Sequence, residues 1–234
     1  MKESTLPAHL GRLVWSKAPV ALLVALVLVS NGSAFAAQYY SEQTDFAESS
    51  VPVTAHHWGK GNIDVCIFKE AAVPNSYYVW TKLQVQTWRQ ALREYTGENQ
   101  SWSIYARHVQ TVSEQKSCDV KVYIYASYTE FPGYPQETGA YTIIRQNNTL
   151  LDISVYLSPV VLHGDGKTVV KLPPFAFRNS ARHEFGHVLG LGHVASEKGF
   201  LMSPVFDYWE EHAELPVTTL ELGALVSVYG KNFS

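Results

Sequence analysis

An eleven-residue stretch, HEFGHVLGLGH at positions 183–193, constrains the fold of this chain more than any other feature of its sequence. Its first two histidines, His183 and His187, are four residues apart, so on an α-helix their side chains lie on one face, one turn apart. Two imidazoles in that arrangement can bind the same zinc ion at about 2.0–2.1 Å. The spacing therefore predicts a helix that presents two metal ligands on one side.

The third histidine of the stretch, His193, cannot share that face. If the helix continued, six further residues would carry the side chain about 9 Å along the axis. Gly190 is free to adopt a positive φ and end the helix, so we expect the chain to turn back there and bring His193 to the metal. Three protein nitrogens leave a fourth tetrahedral position for water, which is typical of a catalytic zinc. The sequence predicts one catalytic Zn²⁺ held by His183, His187 and His193.

Glu184 directly follows the first histidine, so its carboxylate can lie beside the water at the fourth position without binding the metal. Zinc lowers the pKa of such a water to near 7. A carboxylate placed there can take the proton during attack and deliver it to the leaving amine. We therefore expect Glu184 to be the catalytic general base.

These residues resemble the metzincin superfamily of zinc peptidases, whose motif H-E-x-x-H-x-x-G-x-x-H is followed by a methionine-containing turn. Here the turn reads Leu201-Met202-Ser203-Pro204, and Met1 and Met202 are the only methionines in the sequence. The resemblance implies that Met202 forms an apolar floor beneath the three imidazoles, and an ordinary core methionine is compatible with that role. It implies a zinc metalloendopeptidase that hydrolyses proteins or peptides. It is strong over residues 175–234 and extends only as a compatible topology over 59–174.

Within the superfamily, the chain is most similar to the matrixins, the matrix-metalloprotease-like branch. The Leu-Met-Ser-Pro turn and a C-terminal helix ending in Val228-Tyr229-Gly230 resemble theirs, whereas astacin-like members have a tyrosine where this chain has Pro204. The cysteine motif of matrixin pro-domains is missing, and so is the full ligand set for their additional zinc and calcium sites. Calcium binding is therefore left open. The segment His163-Gly164-Asp165-Gly166 resembles a piece of that set, but we expect a turn.

Four further histidines, His56, His57, His108 and His212, have no ligand spacing to one another, and we interpret them as surface or core residues. The resemblance implies that a peptide pairs with an edge strand at Gly139–Ile144. Aromatic and apolar residues after the methionine turn are expected either to wall a substrate pocket or to close the core: Val205, Phe206, Tyr208 and Trp209.

The first 37 residues have the composition of a secretory signal. Lys2, Arg12 and Lys17 precede an apolar run at 18–29, and small residues around Ala36 follow it. The run is about 12 residues long, whereas a membrane-spanning helix needs about 20. We therefore expect cleavage and a secreted protein, with an uncleaved membrane anchor as the alternative.

Cys66 and Cys118 are the only two cysteines of the chain. In an exported, oxidising environment we expect them to form one structural disulfide. Closing a loop of about 50 residues would stabilise the fold by roughly 4 kcal/mol in the entropic model. The alternative is that one thiol serves as a latency switch that blocks the zinc.

The pattern of the remaining chain predicts one α+β domain. We expect an exposed lead-in segment at 38–58 and a domain at 59–234 built from a twisted mixed β-sheet, an early helix, an active-site helix and a C-terminal helix. A capping box of Thr218 and Glu221 begins the last helix. The other expected elements are strands at 63–68, 102–109, 119–126, 140–144 and 151–157, a helix capped by Asn75 or Ser76 and ended by Gly97, and a helix at 175–189.

The charge balance of the chain bears on which classes of molecule it can bind. The 18 Lys and Arg are outnumbered by 21 Asp and Glu, giving a net charge of −3, and no basic run interleaved with aromatic residues is present. Nucleic acid is therefore not an expected partner. Separately, we expect the protein to be a monomer. Two other functions stay open: a zinc hydrolase that acts on non-peptide substrates, and an exported binding module that keeps zinc structurally.

Overall fold

The computed structural model describes residues 39–42, 51–97, 102–132, 139–147, 150–163, 165–195, 199–204 and 213–230. The predicted secretory signal at 1–37 lies outside them. So do His212 and the expected pocket wall of Val205, Phe206, Tyr208 and Trp209. Among the residues described, no helix is both long and apolar enough to cross a membrane.

A five-stranded mixed sheet forms the centre of the domain, in the order β2-β1-β3-β5-β4. Strand β1 pairs in parallel with β2 and β3, and β3 pairs in parallel with β5. Strand β4 is antiparallel to β5 and lies at the edge. The strands are β1 (Asn62–Lys69), β2 (Ser103–Val109), β3 (Val120–Ile124), β4 (Ala140–Asn147) and β5 (Leu150–Leu157). A separate hairpin joins β6 (Val160–Leu162) to β7 (Val169–Lys171).

In the described part of the chain, three α-helices accompany the sheet: α1 (Asn75–Tyr95), α2 (Pro174–Val188) and α3 (Thr219–Tyr229). The predicted capping box is present at the start of α3, with both Thr218 and Glu221 bonded as expected. The predicted cap of α1 is wrong, because Pro74 occupies the N-cap position and no side chain caps the helix. Asn75 and Ser76 therefore lie inside the first turn.

One hydrophobic core joins the sheet to the helices. Alternate residues of the parallel strands are fully buried in it, as their period-two pattern predicts. From the helices, Trp88, Leu92 and Phe177 enter the same core. The strand residues are Ile63, Val65 and Ile67 on β1, Val120, Val122 and Ile124 on β3, and Ile153, Val155 and Leu157 on β5.

Cys66 on β1 and Cys118, just before β3, form a disulfide bond. Both are buried in a small cluster with Val109. The predicted disulfide is thus supported. Neither sulfur is available as a free thiol.

Residues 51–58 differ from the exposed lead-in that the sequence predicts. Val51 and Trp58 are buried in the hydrophobic core, and His56 is buried as well. Val53 pairs with Leu191 in an antiparallel bridge. The interpretation as an exposed lead-in is therefore wrong for these residues, because their apolar side chains and backbone groups are satisfied by the domain itself.

The structure confirms a mixed five-stranded sheet with an early helix, a second long helix and a C-terminal helix. This mixed α/β arrangement is compatible with a zincin-like fold. The metzincin architecture implied by the motif stays an expectation.

Candidate metal centre and active site

Helix α2 carries the predicted site residues. Pro173 occupies its N-cap and Pro174 its first helical position, where the fixed φ of proline suits a helix start. One side of the helix packs into the core through Ala176, Phe177, Ala181, Phe185 and Val188. Polar side chains on its other sides are buried too, namely Asn179, Ser180, Arg182, His183 and Glu184. Buried polar groups are costly unless they are partnered, so the partners of these residues define the site.

The three predicted ligands converge on one point. The Nε2 atoms of His183 and His193 are 3.2 Å apart, and those of His187 and His193 are 3.0 Å apart. Two nitrogens bound to one tetrahedral zinc at 2.0–2.1 Å lie about 3.3 Å from each other. The donor atoms are thus spaced as a shared zinc requires.

Hydrogen bonds at the opposite ring nitrogens orient two of these imidazoles. His183 Nδ1 lies 2.7 Å from the carbonyl oxygen of Leu201, and His187 Nδ1 lies 2.8 Å from that of Leu191. A carbonyl only accepts, so each Nδ1 carries the proton and each Nε2 presents a lone pair. Burial lowers the pKa of His183 to about 3 and that of His187 to about 4, so both rings are neutral at pH 7. Lone pairs that face one another are the donor set that a bound cation satisfies.

Gly190 reverses the chain between the second and third histidines, as predicted. Its φ is +104°, and a Cβ at this position would meet the carbonyl oxygen of His56 at 3.0 Å. The amide of Leu191 donates back to the carbonyl of Gly186 at 2.9 Å. Beyond the turn, His193 is exposed whereas His183 is buried. The site is therefore open to solvent on the His193 side.

Met202 is fully buried beside α2. A Cβ on Gly186 would overlap the Met202 sulfur, so the glycine between Phe185 and His187 provides the space for this side chain. The amide of Val194 donates to the carbonyl of Met202 at 2.9 Å, which connects the chain after His193 to the methionine turn. The turn thus contacts α2 at Gly186, and the carbonyl of Leu201 in the same turn accepts a hydrogen bond from the ring of His183.

Glu184 is buried, and the Thr142 hydroxyl donates to its Oε2 at 2.6 Å. Burial raises the pKa of Glu184 to about 8, and the hydrogen bond from Thr142 opposes that rise. A cation at the three histidines would act in the same direction as Thr142, lowering the pKa of Glu184 and favouring the ionised carboxylate. Thr142 lies on the edge strand β4, and sequence reasoning missed it because nothing in the local pattern marks a contact with a residue 42 positions away.

Of the histidines that the structure describes, His108 and His163 lie outside this site. The ring of His108 packs against Tyr78 at 5.0 Å. At the β6–β7 hairpin, Asp165 accepts hydrogen bonds from the amides of Lys167 and Thr168, so the predicted turn is confirmed. Within the described ranges, the other cluster with ligand-like spacing is Asp64, Cys66 and Cys118, whose two sulfurs are already bonded to each other.

His56 lies close to the predicted ligands, and nothing in the sequence pattern indicates this position. Its Nε2 lies 3.1 Å from the carbonyl oxygen of His187, so it reaches the end of the helix that carries the ligands. Its Nδ1 lies 2.8 Å from the Thr54 hydroxyl. Burial lowers the pKa of His56.

No protein-family model matches the chain, and no curated protein matches it. Among solved structures, one match is High choriolytic enzyme 1 (HCE-1), a hatching enzyme zinc-protease from Oryzias latipes (Medaka fish). The identity is 12% and the TM-score 0.28, with 58% of this chain and 50% of that chain covered. The chain thus spans half the length of this protein.

Proposed function

We propose that this chain is a zinc-dependent endopeptidase. The observation that carries the proposal is the convergence of three imidazole Nε2 atoms at separations of 3.0 and 3.2 Å next to the buried carboxylate of Glu184. In this proposal His183, His187 and His193 bind the zinc. When bound, zinc polarises the substrate carbonyl and lowers the pKa of a bound water to near 7.

Glu184 moves the proton in this mechanism. Its carboxylate takes a proton from the attacking water and returns it to the amine that leaves when the peptide bond breaks. The Thr142 hydrogen bond holds Oε2, so the carboxylate is oriented before substrate arrives. Because Glu184 is buried, few competing water molecules reach it. A purely structural zinc site would have no use for a buried carboxylate in this place.

Strand β4 supports a peptide substrate in preference to a small molecule. It is one of the two edge strands of the five-stranded sheet, and its Thr142 contacts Glu184. An extended peptide can add to such an edge through main-chain hydrogen bonds, which brings its backbone alongside the carboxylate. The open side of the site at the exposed His193 is compatible with a long chain that passes through.

Within the metzincin superfamily, we propose the matrixin-like branch. This assignment rests on the Leu201-Met202-Ser203-Pro204 turn and on Pro204 in place of the astacin tyrosine. We also propose that the protein is exported, with residues 1–37 as its signal. The Cys66–Cys118 disulfide supports export, because such bonds persist in oxidising compartments.

The test combines metal content with cleavage. The purified protein should bind one zinc per chain and cleave members of a diverse peptide library, and a chelator should abolish cleavage until zinc is restored. His193→Ala removes a proposed direct ligand, so it should weaken zinc binding at least 10-fold. Loss of a group that only supports a ligand already costs about 10- to 100-fold in metal affinity. A zinc-loaded protein that cleaves small amides alone would indicate the non-peptidase hydrolase. One that cleaves nothing would indicate the binding module.

A further inference from the structure

The C-terminal end of α2 has an unusual set of hydrogen-bond partners. The last carbonyls of a helix have no partners within the helix and are often left to water. Here four consecutive carbonyls each accept a hydrogen bond from a distant part of the chain. The donors are His56 Nε2 to His187 at 3.1 Å, Trp58 Nε1 to Val188 at 2.8 Å, the Tyr229 hydroxyl to Leu189 at 2.7 Å, and the Thr54 amide to Gly190 at 2.7 Å.

Three of these four donors belong to segment 51–58. The same segment also holds the chain on the far side of the Gly190 turn. The amide of Gly192 donates to the carbonyl of Pro52 at 2.6 Å, and Val53 pairs with Leu191 in an antiparallel bridge. The Thr54 hydroxyl adds a second contact to the Gly190 carbonyl at 2.9 Å. Segment 51–58 therefore binds both limbs of the turn that separates His187 from His193.

The position of this turn determines the geometry of the ligands. The carbonyl of Leu191, inside the turn, fixes the ring of His187 through Nδ1. His193 follows two residues later, and because its side chain is exposed, its position depends on the backbone that leads to it. If the turn shifted, the Nε2 atoms of His187 and His193 would lose their 3.0 Å separation. Hydrogen bonds to the carbonyls of residues 187–191 oppose such a shift.

We propose that segment 51–58 is a positioning element of the metal centre, in which His56 and Thr54 are positioning residues for His187 and His193. The inference rests on the zinc site of the proposed function. It implies that proteolysis within 51–58 would weaken the metal site, although this region resembles a removable lead-in by sequence. The segment does not contribute ligands; it acts through the backbone of residues 187–192.

The experiment compares three variants of the full chain by zinc competition against a chromogenic chelator. His56→Leu removes the donor to the His187 carbonyl, and we expect zinc affinity to fall about 10- to 100-fold, as for other groups that support metal ligands. His56→Gln keeps an N–H donor near the Nε2 position and should restore most of the affinity. His108→Leu is the matched control, since His108 is exposed on β2 and lies outside segment 51–58, and it should bind zinc like the parent.

Unfolding of the metal-free variants separates positioning from stability. If His56→Leu only destabilises the fold, its denaturation midpoint falls while the folded protein binds zinc like the parent, and this result would overturn the inference. Should His56→Leu fail to fold, Thr54→Val provides the milder test. It removes the hydroxyl and keeps the backbone donor, so we expect a loss of zinc affinity of about 2- to 10-fold. Parent-like affinity in Thr54→Val would then overturn the inference.

The readout does not depend on peptide cleavage. If the parent binds zinc but cleaves no peptide, the proposed function fails, and a weakened His56→Leu still supports the positioning role. If the parent cleaves peptides and His56→Leu binds zinc normally, the proposed function stands and the positioning role fails.

Discussion

Helices α1 and α2 pack side by side yet differ in what they bury. Helix α1 has an ordinary buried stripe that includes Tyr77, Val85, Trp88 and Leu92, and exposed residues such as Leu83 on its other face. Helix α2 is buried around most of its circumference, including residues that would normally face water. The apolar stripe of α1 serves packing, and the buried Gln84 of the same helix bonds to Arg182 of α2. The pattern of α2 places polar chemistry inside the protein.

Buried polar residues of α2 have hydrogen-bond partners of their own. Asn179 exchanges hydrogen bonds with the backbone of Ala213 and Leu215. Arg182 reaches Gln84 at 2.9 Å and Glu214 at 3.1 Å. Such networks cost desolvation and are retained where their geometry is needed. We therefore expect substitutions of the apolar residues of α1 to change stability. A substitution of Glu184 on α2 should instead change catalysis.

Glu184→Gln gives the largest expected effect and tests the chemical half of this comparison. The amide keeps the volume and can still accept a hydrogen bond from Thr142, but it cannot take a proton. We expect kcat for peptide cleavage to fall about 10² to 10⁴-fold. Zinc stoichiometry and the unfolding midpoint should change little, because the amide has nearly the same volume and keeps the hydrogen bond from Thr142.

Two measurements check this prediction: steady-state cleavage of a defined peptide, and zinc content together with thermal denaturation. A variant that binds zinc normally and cleaves at a parent-like rate would remove Glu184 from the mechanism. A variant that loses zinc would instead assign Glu184 a role in holding the site.

Leu92→Ala tests the packing half of the comparison. The Leu92 side chain is fully buried on α1, so we expect the free energy of unfolding to fall by about 2–5 kcal/mol. The same change at exposed Leu83 is the matched control and should cost less than about 0.5 kcal/mol. Urea denaturation of both variants gives these values. A folded Leu92→Ala protein with strongly reduced kcat would show that α1 does more than pack.

Sequence predicts the parts of this molecule that local pattern controls. The spacing of His183 and His187, the positive φ of Gly190 and the capping box at Thr218 all follow from rules that span fewer than about eight residues. The sheet strands follow from period-two alternation in the same way. These features are set by the backbone over one or two turns, so neighbouring residues contain the information.

Contacts over long sequence separations could not be predicted in this way. His56 contacts His187 across 131 residues, and Thr54 contacts Gly190 across 136. A short mixed segment without a sustained apolar period is typical of an exposed stretch, and only the fold shows that its donors bond to the end of α2. The partner of Glu184 was missed for the same reason, since Thr142 is one threonine in a strand of ordinary composition.

Thr142→Val has the smallest expected effect. It refines the comparison because Thr142 lies on strand β4 and affects the chemistry of Glu184 on α2 through a hydrogen bond. Valine keeps the shape of threonine and removes the hydroxyl that donates to Glu184 Oε2 at 2.6 Å. A hydrogen bond to a charged group contributes about 1.5–3 kcal/mol, so we expect kcat to fall about 10- to 100-fold. Zinc affinity should stay at the parent value, because Thr142 touches no predicted ligand.

Thr142→Ser separates the hydroxyl from the methyl group. Serine can donate the same hydrogen bond, so this variant should recover most of the lost kcat, with KM for a given peptide close to that of the parent in both variants. Equal losses in Thr142→Val and Thr142→Ser would assign the effect to packing of the methyl group against α2. A rise in KM without a fall in kcat would place Thr142 in substrate binding along the edge strand, since a residue that only orients the general base acts after the peptide is bound.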